Sequence, residues 1–314
     1  MNEGFKVSLN LGGGAARGFA HIGVLRLLQE EKVPFDIIVG VSMGTFIGSI
    51  YCTVPEHEFV RDRMYHWLNS REVQESVVVS YSRSLNEATK TVLKKLSAFY
   101  TRTGMLGRVL LGPGMITMPD IEAAFFPYIP PINIETLRFP FACPAVSLKS
   151  GTSRVFRKGS LRKAVIASAA LPMVFPPVDI DNELFCDGGV LDKVGIDAAR
   201  AMQCRKIIAV DVSNESSSQG MVKNGLDVMF RTEEIASNYR RDKQIKKADL
   251  VIFPIKGSVH WADYTLSKEL IDMGYESARE SLEAIRAVIK VRNPFRRFFT
   301  MFRKKMTLNE SELN

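Results

Sequence analysis

The sequence predicts an α/β fold in which a mainly parallel central sheet is flanked by helices. Three observations carry this: a strand, a glycine turn and a helix in the first thirty residues, the same pattern repeated from residue 35, and later apolar runs alternating with helix-spaced segments.

Lys6 to Leu11 alternates enough to read as a short strand, Gly12 to Gly14 as a turn, and Phe19, Ile22, Leu25 and Leu28 recur with helical spacing. Phe35 to Gly40 reads as a buried strand, Val41 to Gly44 as a second tight turn, and Thr45 to Cys52 as the start of a helix. The uncharged run Ile37 to Val54 is long enough to raise the question of a membrane span. Its three glycines lie where a spanning helix would want Leu and Ile, so strand, turn and helix fit it better. Between about Ser70 and Pro131 the rhythm is lost, and Met, Phe, Tyr and Leu mix with Lys and Arg. That stretch reads either as a lid over an apolar pocket or as ordinary helices packed on the sheet. The alternation resumes with Phe141 to Leu148, Lys206 to Val212 and Leu250 to Pro254 as strands, and Leu161 to Ser168 and Gly195 to Ala201 as helices. Ser216 to Gly220 reads as a loop.

With 314 residues, 46% of them hydrophobic, the chain is long enough for one large core. The expected organisation is one domain over residues 1–285 and a basic tail over 286–314. Eight of the 42 basic residues, from Arg286 to Lys305, fall in a stretch with no acid, which leaves 34 bases against 34 acids elsewhere. The excess charge of +8 therefore belongs to the C-terminal segment and points to an anionic surface as its partner. Met-Asn-Glu-Gly-Phe-Lys lacks the basic, long-apolar, small-residue pattern of a secretory signal, so cytoplasmic residence is expected. Cys52, Cys143, Cys186 and Cys204 are widely spaced without a CxxC pair, which favours buried reduced thiols over zinc or disulfides.

Gly40-Val41-Ser42-Met43-Gly44 fits a nucleophile elbow, in which small flanking residues let a strained strand-to-helix turn push a serine Oγ outward. The apolar run before it and the helical segment after it supply the context. Gly12-Gly13-Gly14-Ala15-Ala16-Arg17-Gly18 lies at the other strand-to-helix junction, where free N–H groups favour an anion. A dinucleotide fingerprint would need glycine where Arg17 stands, and no Gly-Lys-Ser/Thr follows for a phosphate loop. A tetrahedral oxyanion beside the nucleophile is the alternative anion, and a plain tight turn is the bland one.

The serine needs a base, and His21, His57, His66 and His260 lie in no obvious catalytic signature. Asp187 follows Leu184-Phe185-Cys186 and precedes Gly188-Gly189, which puts a carboxylate at a strand end on a flexible turn. Part-buried there, it could take the serine proton directly; as a bland alternative it caps the loop. Asp192 and Asp211 compete for the role.

Taken together, Leu11 to Leu25, Gly40 to Gly44, Leu171-Pro172-Met173-Val174-Phe175-Pro176-Pro177 and Asp187-Gly188-Gly189 resemble, in order and separation, the bacterial patatin-like phospholipases. The resemblance runs from about Phe5 to Glu280, and it implies a three-layer α/β/α fold, a Ser-Asp dyad without histidine, no metal or other cofactor, and hydrolysis of fatty-acyl esters in lipids. Carried onto this chain, it implies Ser42 as nucleophile, Asp187 as base, and an oxyanion hole within Gly12, Gly13, Gly14 and Ala15. The amides of Gly13 and Gly14 are the expected donors, with Ala15 beside them and Arg17 bracing the loop. The family often has a fourth glycine where Ala15 stands, and an Asn then a Pro after Asp-Gly-Gly, where this chain reads Val190-Leu191-Asp192-Lys193-Val194-Gly195.

The rival readings are an α/β-hydrolase with a Ser42, Asp187, His260 triad, a nucleotide-binding regulator using the glycine loop, and a catalytically silent lipid-binding protein. The expected substrate is a phospholipid or lysophospholipid, with no nucleic acid as partner. In the tail, Asn293 caps a helix starting at Pro294, which sets Phe295, Phe298, Phe299 and Phe302 on one face. Arg296 and Arg297 lie beside that face, a pattern suited to the plane of an anionic bilayer on the inner side of a membrane.

Overall fold

The computed structural model describes residues 7–76, 112–213 and 225–289. Strand β1 (Val7–Leu11) leads through a 3-10 turn (Ala15–Phe19) into helix α1 (Ala20–Glu30), and β2 (Ile37–Gly40) leads directly into α2 (Met43–Thr53). Helices α3 (His57–Asn69), α4 (Arg71–Gln74) and α5 (Met118–Phe125) follow. Next come β3 (Phe141–Ser147), β4 (Ser153–Phe156), α6 (Leu161–Ala169), β5 (Val178–Ile180), β6 (Glu183–Asp187), α7 (Ile196–Ala201) and β7 (Lys206–Val210). The chain continues through α8 (Gly225–Gln244), β8 (Leu250–Ile252), α9 (Ser267–Glu280) and α10 (Leu282–Ile289).

The strands form one sheet in the order β5-β6-β3-β2-β1-β7-β8, with β4 also beside β3. Strands β3, β2, β1, β7 and β8 run parallel, while β4, β5 and β6 attach antiparallel at the β3 side. This is the mainly parallel, helix-flanked sheet expected from the sequence, extended by short antiparallel strands. The strands read as Phe141 to Leu148, Lys206 to Val212 and Leu250 to Pro254 each end one or two residues earlier, at Ser147, Val210 and Ile252.

Every residue of β1, β2 and β3 is buried, because helices cover both faces. The alternation read in β1 is therefore not an inside-outside pattern. Ser8 and Asn10 are as buried as Leu9 and Leu11, and the Asn10 amide donates to the Gly195 carbonyl at 2.6 Å. One face packs Phe19, Leu25, Phe46 and Ile47, and the other packs Ile37, Val39, Ile196 and Ile207. The run Ile37 to Val54 is the β2 strand, a turn and α2, and among the described residues no helix is long and apolar enough to cross a membrane. All four cysteines are buried and free.

Helix α10 crosses the expected boundary between residues 285 and 286: Ile285 is fully buried, and Arg286 pairs with Glu31 at 2.6 Å. Phe295, Arg296, Arg297, Phe298, Phe299 and Phe302 lie outside the described residues, as do Ser216 to Gly220.

Candidate active site

From β1 the chain builds outward to β2 and β3, then returns to the other side of β1 as β7. Such a reversal of strand order leaves a crevice at the carboxyl ends of the strands. The glycine loop and the serine turn both sit there.

Ser42 lies in the turn between β2 and α2 with φ 53° and ψ −121°, a strained backbone for a residue with a side chain. Close packing enforces the turn. A Cβ on Gly44 would lie 2.0 Å from the Leu11 carbonyl oxygen, and one on Gly40 would lie 2.6 Å from that of Gly44. The Ser42 amide donates to Ser168 at 3.1 Å, and its side chain caps no helix, so the hydroxyl is left for other partners.

Near it lies Asp187, at the end of β6. Its carboxylate accepts the Gly189 amide at 2.7 Å and feels the pull of the Ser42 side chain, while its own amide donates to Ala170 at 2.9 Å. Asp187 is only 3% exposed, and burial pushes its pKa up to about 6. The Ser42 and Gly189 hydrogen bonds and the Lys193 charge oppose that rise. The competing carboxylates are engaged elsewhere. Asp192 caps α7, accepting the amides of Ile196 at 3.0 Å and Ala198 at 2.9 Å, and Asp211 accepts Ser213 and lies 3.3 Å from Arg241.

The glycine loop runs beside the serine, and a Cβ on Gly13 would lie 3.1 Å from the Ser42 Cβ. Two of its amides already have acceptors: Gly12 donates to Val210 at 3.0 Å and Gly13 to Lys193 at 2.9 Å. This corrects the expectation that Gly13 is an anion donor. Among the described residues, no acceptor takes the amides of Gly14 and Ala15. The Arg17 amide donates to the Gly14 carbonyl at 3.1 Å and its Nε at 3.4 Å. Carbonyl and N–H point opposite ways in a trans peptide, so holding the Gly14 oxygen turns the Ala15 N–H away from Arg17. Ala15 itself has φ 47°, the left-handed conformation that explains a glycine at this place in relatives of such a motif.

The charged neighbours of His260 are Arg17 and Asp263, and burial lowers its pKa first, with Arg17 adding to the effect. The groups that act on Asp187 are Ser42, Gly189 and Lys193, and no histidine is among them, which lends the triad no support.

Ser42 and Ala15 open onto a cavity of 440 Å³ walled by Phe46, Trp67, Phe125 and Tyr264. The rings of Phe46, Trp67 and Phe125 pack with centroids 4.9–5.6 Å apart. The ambiguous segment after Ser70 contributes directly: α4 supplies Val73 and α5 supplies Ile121, so its described parts are packed helices that also wall the pocket. Residues 77–111 lie outside the description. Leu171, Val174 and Phe175 line the same cavity, which accounts for the Leu171 to Pro177 motif. Sequence reasoning missed Phe46, Trp67 and Tyr264, whose only signal was apolar periodicity, indistinguishable from core.

The family model for patatin-like phospholipases matches residues 9–200. An uncharacterized NTE family protein of Mycobacterium bovis is 30% identical over 212 residues, covering 68% of this chain and 50% of that protein. Patatin-like phospholipase domain-containing protein 6 of Mus musculus is 30% identical over 217 residues, covering 68% of this chain and 14% of that protein. VipD from Legionella pneumophila superposes with a TM-score of 0.47 at 13% identity, over 90% of this chain and 67% of that one. The chain thus spans half the length of the mycobacterial relative and a far smaller share of the mouse one.

Proposed function

The chain belongs to the patatin-like phospholipase family, and from that premise we propose that it is a serine acyl-ester hydrolase of membrane lipids, of phospholipase A or lysophospholipase type. One observation supports the reading: a serine on a strained turn, at the wall of an apolar cavity, acts on a buried carboxylate.

In the proposed mechanism, Ser42 Oγ attacks the ester carbonyl of a lipid whose acyl chain lies among the aromatic walls, while Asp187 accepts the hydroxyl proton. The developing oxyanion sits against the amides of Gly14 and Ala15, held in place before reaction by the bonds on the rest of the loop. Collapse expels the alcohol, which takes the proton back from Asp187 and leaves an acyl-serine. Water, deprotonated by Asp187, then attacks that ester, and the dyad returns to its starting state. No cofactor takes part in this sequence.

The proposed setting is the inner face of a membrane, where the basic tail with Phe295, Phe298, Phe299 and Phe302 would hold the enzyme near its substrate. The test of the chemistry is labelling by a fluorophosphonate, together with mass spectrometry of mixed phospholipids and lysophospholipids before and after incubation. Wild-type protein should label and release fatty acid, and Ser42→Ala should do neither. Labelling that persists in Ser42→Ala overturns the assignment.

A further inference from the structure

We propose that His21 is the positioning residue of the oxyanion loop, holding the Gly12 carbonyl so that the amides beyond it face the nucleophile. This rests on the hydrolase reading above.

The loop is fixed one peptide at a time. The Leu11 carbonyl accepts the Val41 amide at 2.9 Å and the Gly12 amide donates to Val210 at 3.0 Å, which settles the first peptide. The second has its Gly13 amide on Lys193 at 2.9 Å and its Gly12 carbonyl 2.8 Å from His21 Nε2. Arg17 settles the Gly14 to Ala15 peptide from its carbonyl side. A carbonyl oxygen only accepts, so Nε2 carries the proton in this bond. Among these clamps, His21 and Arg17 act through side chains, and His21, with the Lys193 carbonyl on the other edge, holds the plane that precedes both free amides.

The other nitrogen shows what the ring is kept for. His21 is fully buried, and among the described residues its Nδ1 has no hydrogen-bond partner. An unpaired buried acceptor is costly, and an apolar side chain in the first turn of α1 would avoid it. The return is the Nε2 bond to Gly12. Burial lowers the pKa of the ring to about 4, against the opposing pull of the Gly12 bond and the Asp211 carboxylate, so the ring stays neutral and in the tautomer that donates. Arg241, 3.3 Å from Asp211, offsets that carboxylate from the α8 side.

Loss of the donor would free the Gly12 carbonyl and tilt the plane from which the Gly14 amide follows, and small misplacements of reacting groups cost about 100-fold in rate. The test compares wild type, His21→Phe and His21→Gln with one ester substrate and with a trifluoromethyl ketone that forms a tetrahedral adduct on serine. His21→Phe should lower kcat about 10- to 100-fold, with KM little changed and affinity for the ketone reduced by the same factor as kcat. His21→Gln, which keeps an N–H donor, should recover part of both. A His21→Phe enzyme with unchanged kcat and ketone affinity overturns the proposal, as does a loss confined to KM. If the variants do not fold, nitrogen-15 NMR of the wild-type ring decides: the neutral Nε2–H tautomer is expected at pH 6 to 8, and the Nδ1–H form would refute it. A wild-type Ser42 that takes no fluorophosphonate defeats the hydrolase reading itself, whereas normal labelling of both wild type and His21→Phe at one rate defeats only the positioning role.

Discussion

Asp187→Asn should abolish turnover and, at the same time, make the protein more stable at neutral pH. Burial pushes the carboxyl from its ordinary 3.8 up to about 6 in the fold, because it penalises the charge more than Ser42 and Gly189 relieve it. The sign follows from linkage. Between these two values the folded state binds more protons than the unfolded state, so stability falls as pH rises through the window and stays lowered above it. A shift of about two units corresponds to roughly 3 kcal/mol at pH 8, an upper figure because the unfolded chain and local relaxation both reduce it. Asparagine carries no charge to desolvate and keeps an oxygen for the Gly189 amide. The gain of the variant over wild type should therefore be about 1–3 kcal/mol at pH 8 and vanish below about pH 4. Denaturant unfolding of both proteins across pH 4 to 8 measures it. Asp192 titrates near the same pH, but it is present in both proteins and cancels in the difference. The wild-type acid limb of kcat/KM should also lie near pH 6, activity rising with pH as Asp187 ionises. An Asn variant less stable than wild type at pH 8, or one that retains turnover, refutes this reasoning.

Replacing His260 by alanine should leave most ester hydrolysis in place, because no histidine is among the groups that act on Asp187; a folded variant without turnover would restore the triad. Chelation with EDTA should not change the rate, and activity lost to EDTA and regained with calcium would contradict the metal-free mechanism. Gly44→Ala places a Cβ 2.0 Å from backbone oxygen at Leu11, where nothing can move aside cheaply, and should cost about 3 kcal/mol or more by thermal or denaturant unfolding. Truncation after Val291 should weaken sedimentation with anionic liposomes by about 1 kcal/mol for each lost cation near the surface, in a salt-dependent way. Equal binding by both forms would show that the tail is not the anchor.

The fold was legible where secondary-structure periodicity and glycine turns coincide. The units β1 to α1 and β2 to α2 announced themselves because each joins an apolar run to a helical stripe through glycines that backbone contacts require. Strands β4 and β5 were not read, because three or four residues with exposed positions carry too little pattern. At the proposed site, Ser42, Asp187 and Arg17 could be singled out since each belongs to a compact motif. The donors were not fully readable: whether an amide is free depends on carbonyls at Val210 and Lys193, nearly two hundred residues away. No local pattern encodes that. The aromatic walls were hidden for a different reason, since a ring facing a cavity and a ring facing core look alike in sequence.

The departure after Asp187-Gly188-Gly189 shows how such distant dependence is satisfied. Gly195 has φ 72°, a conformation closed to proline, whose ring fixes φ near −65°. Asp192 supplies what the turn then needs, its two carboxylate oxygens accepting the amides of Ile196 and Ala198. The Gly195 and Val194 carbonyls are held by the Asn10 side chain from β1, at 2.6 and 3.3 Å. With both ends anchored, the Lys193 carbonyl between them meets the Gly13 amide, and that bond leaves Gly14 and Ala15 as the free donors. Substituting proline at Gly195 alone should therefore damage the glycine loop through Lys193, whereas the local cap at Asp192 would remain the smaller loss.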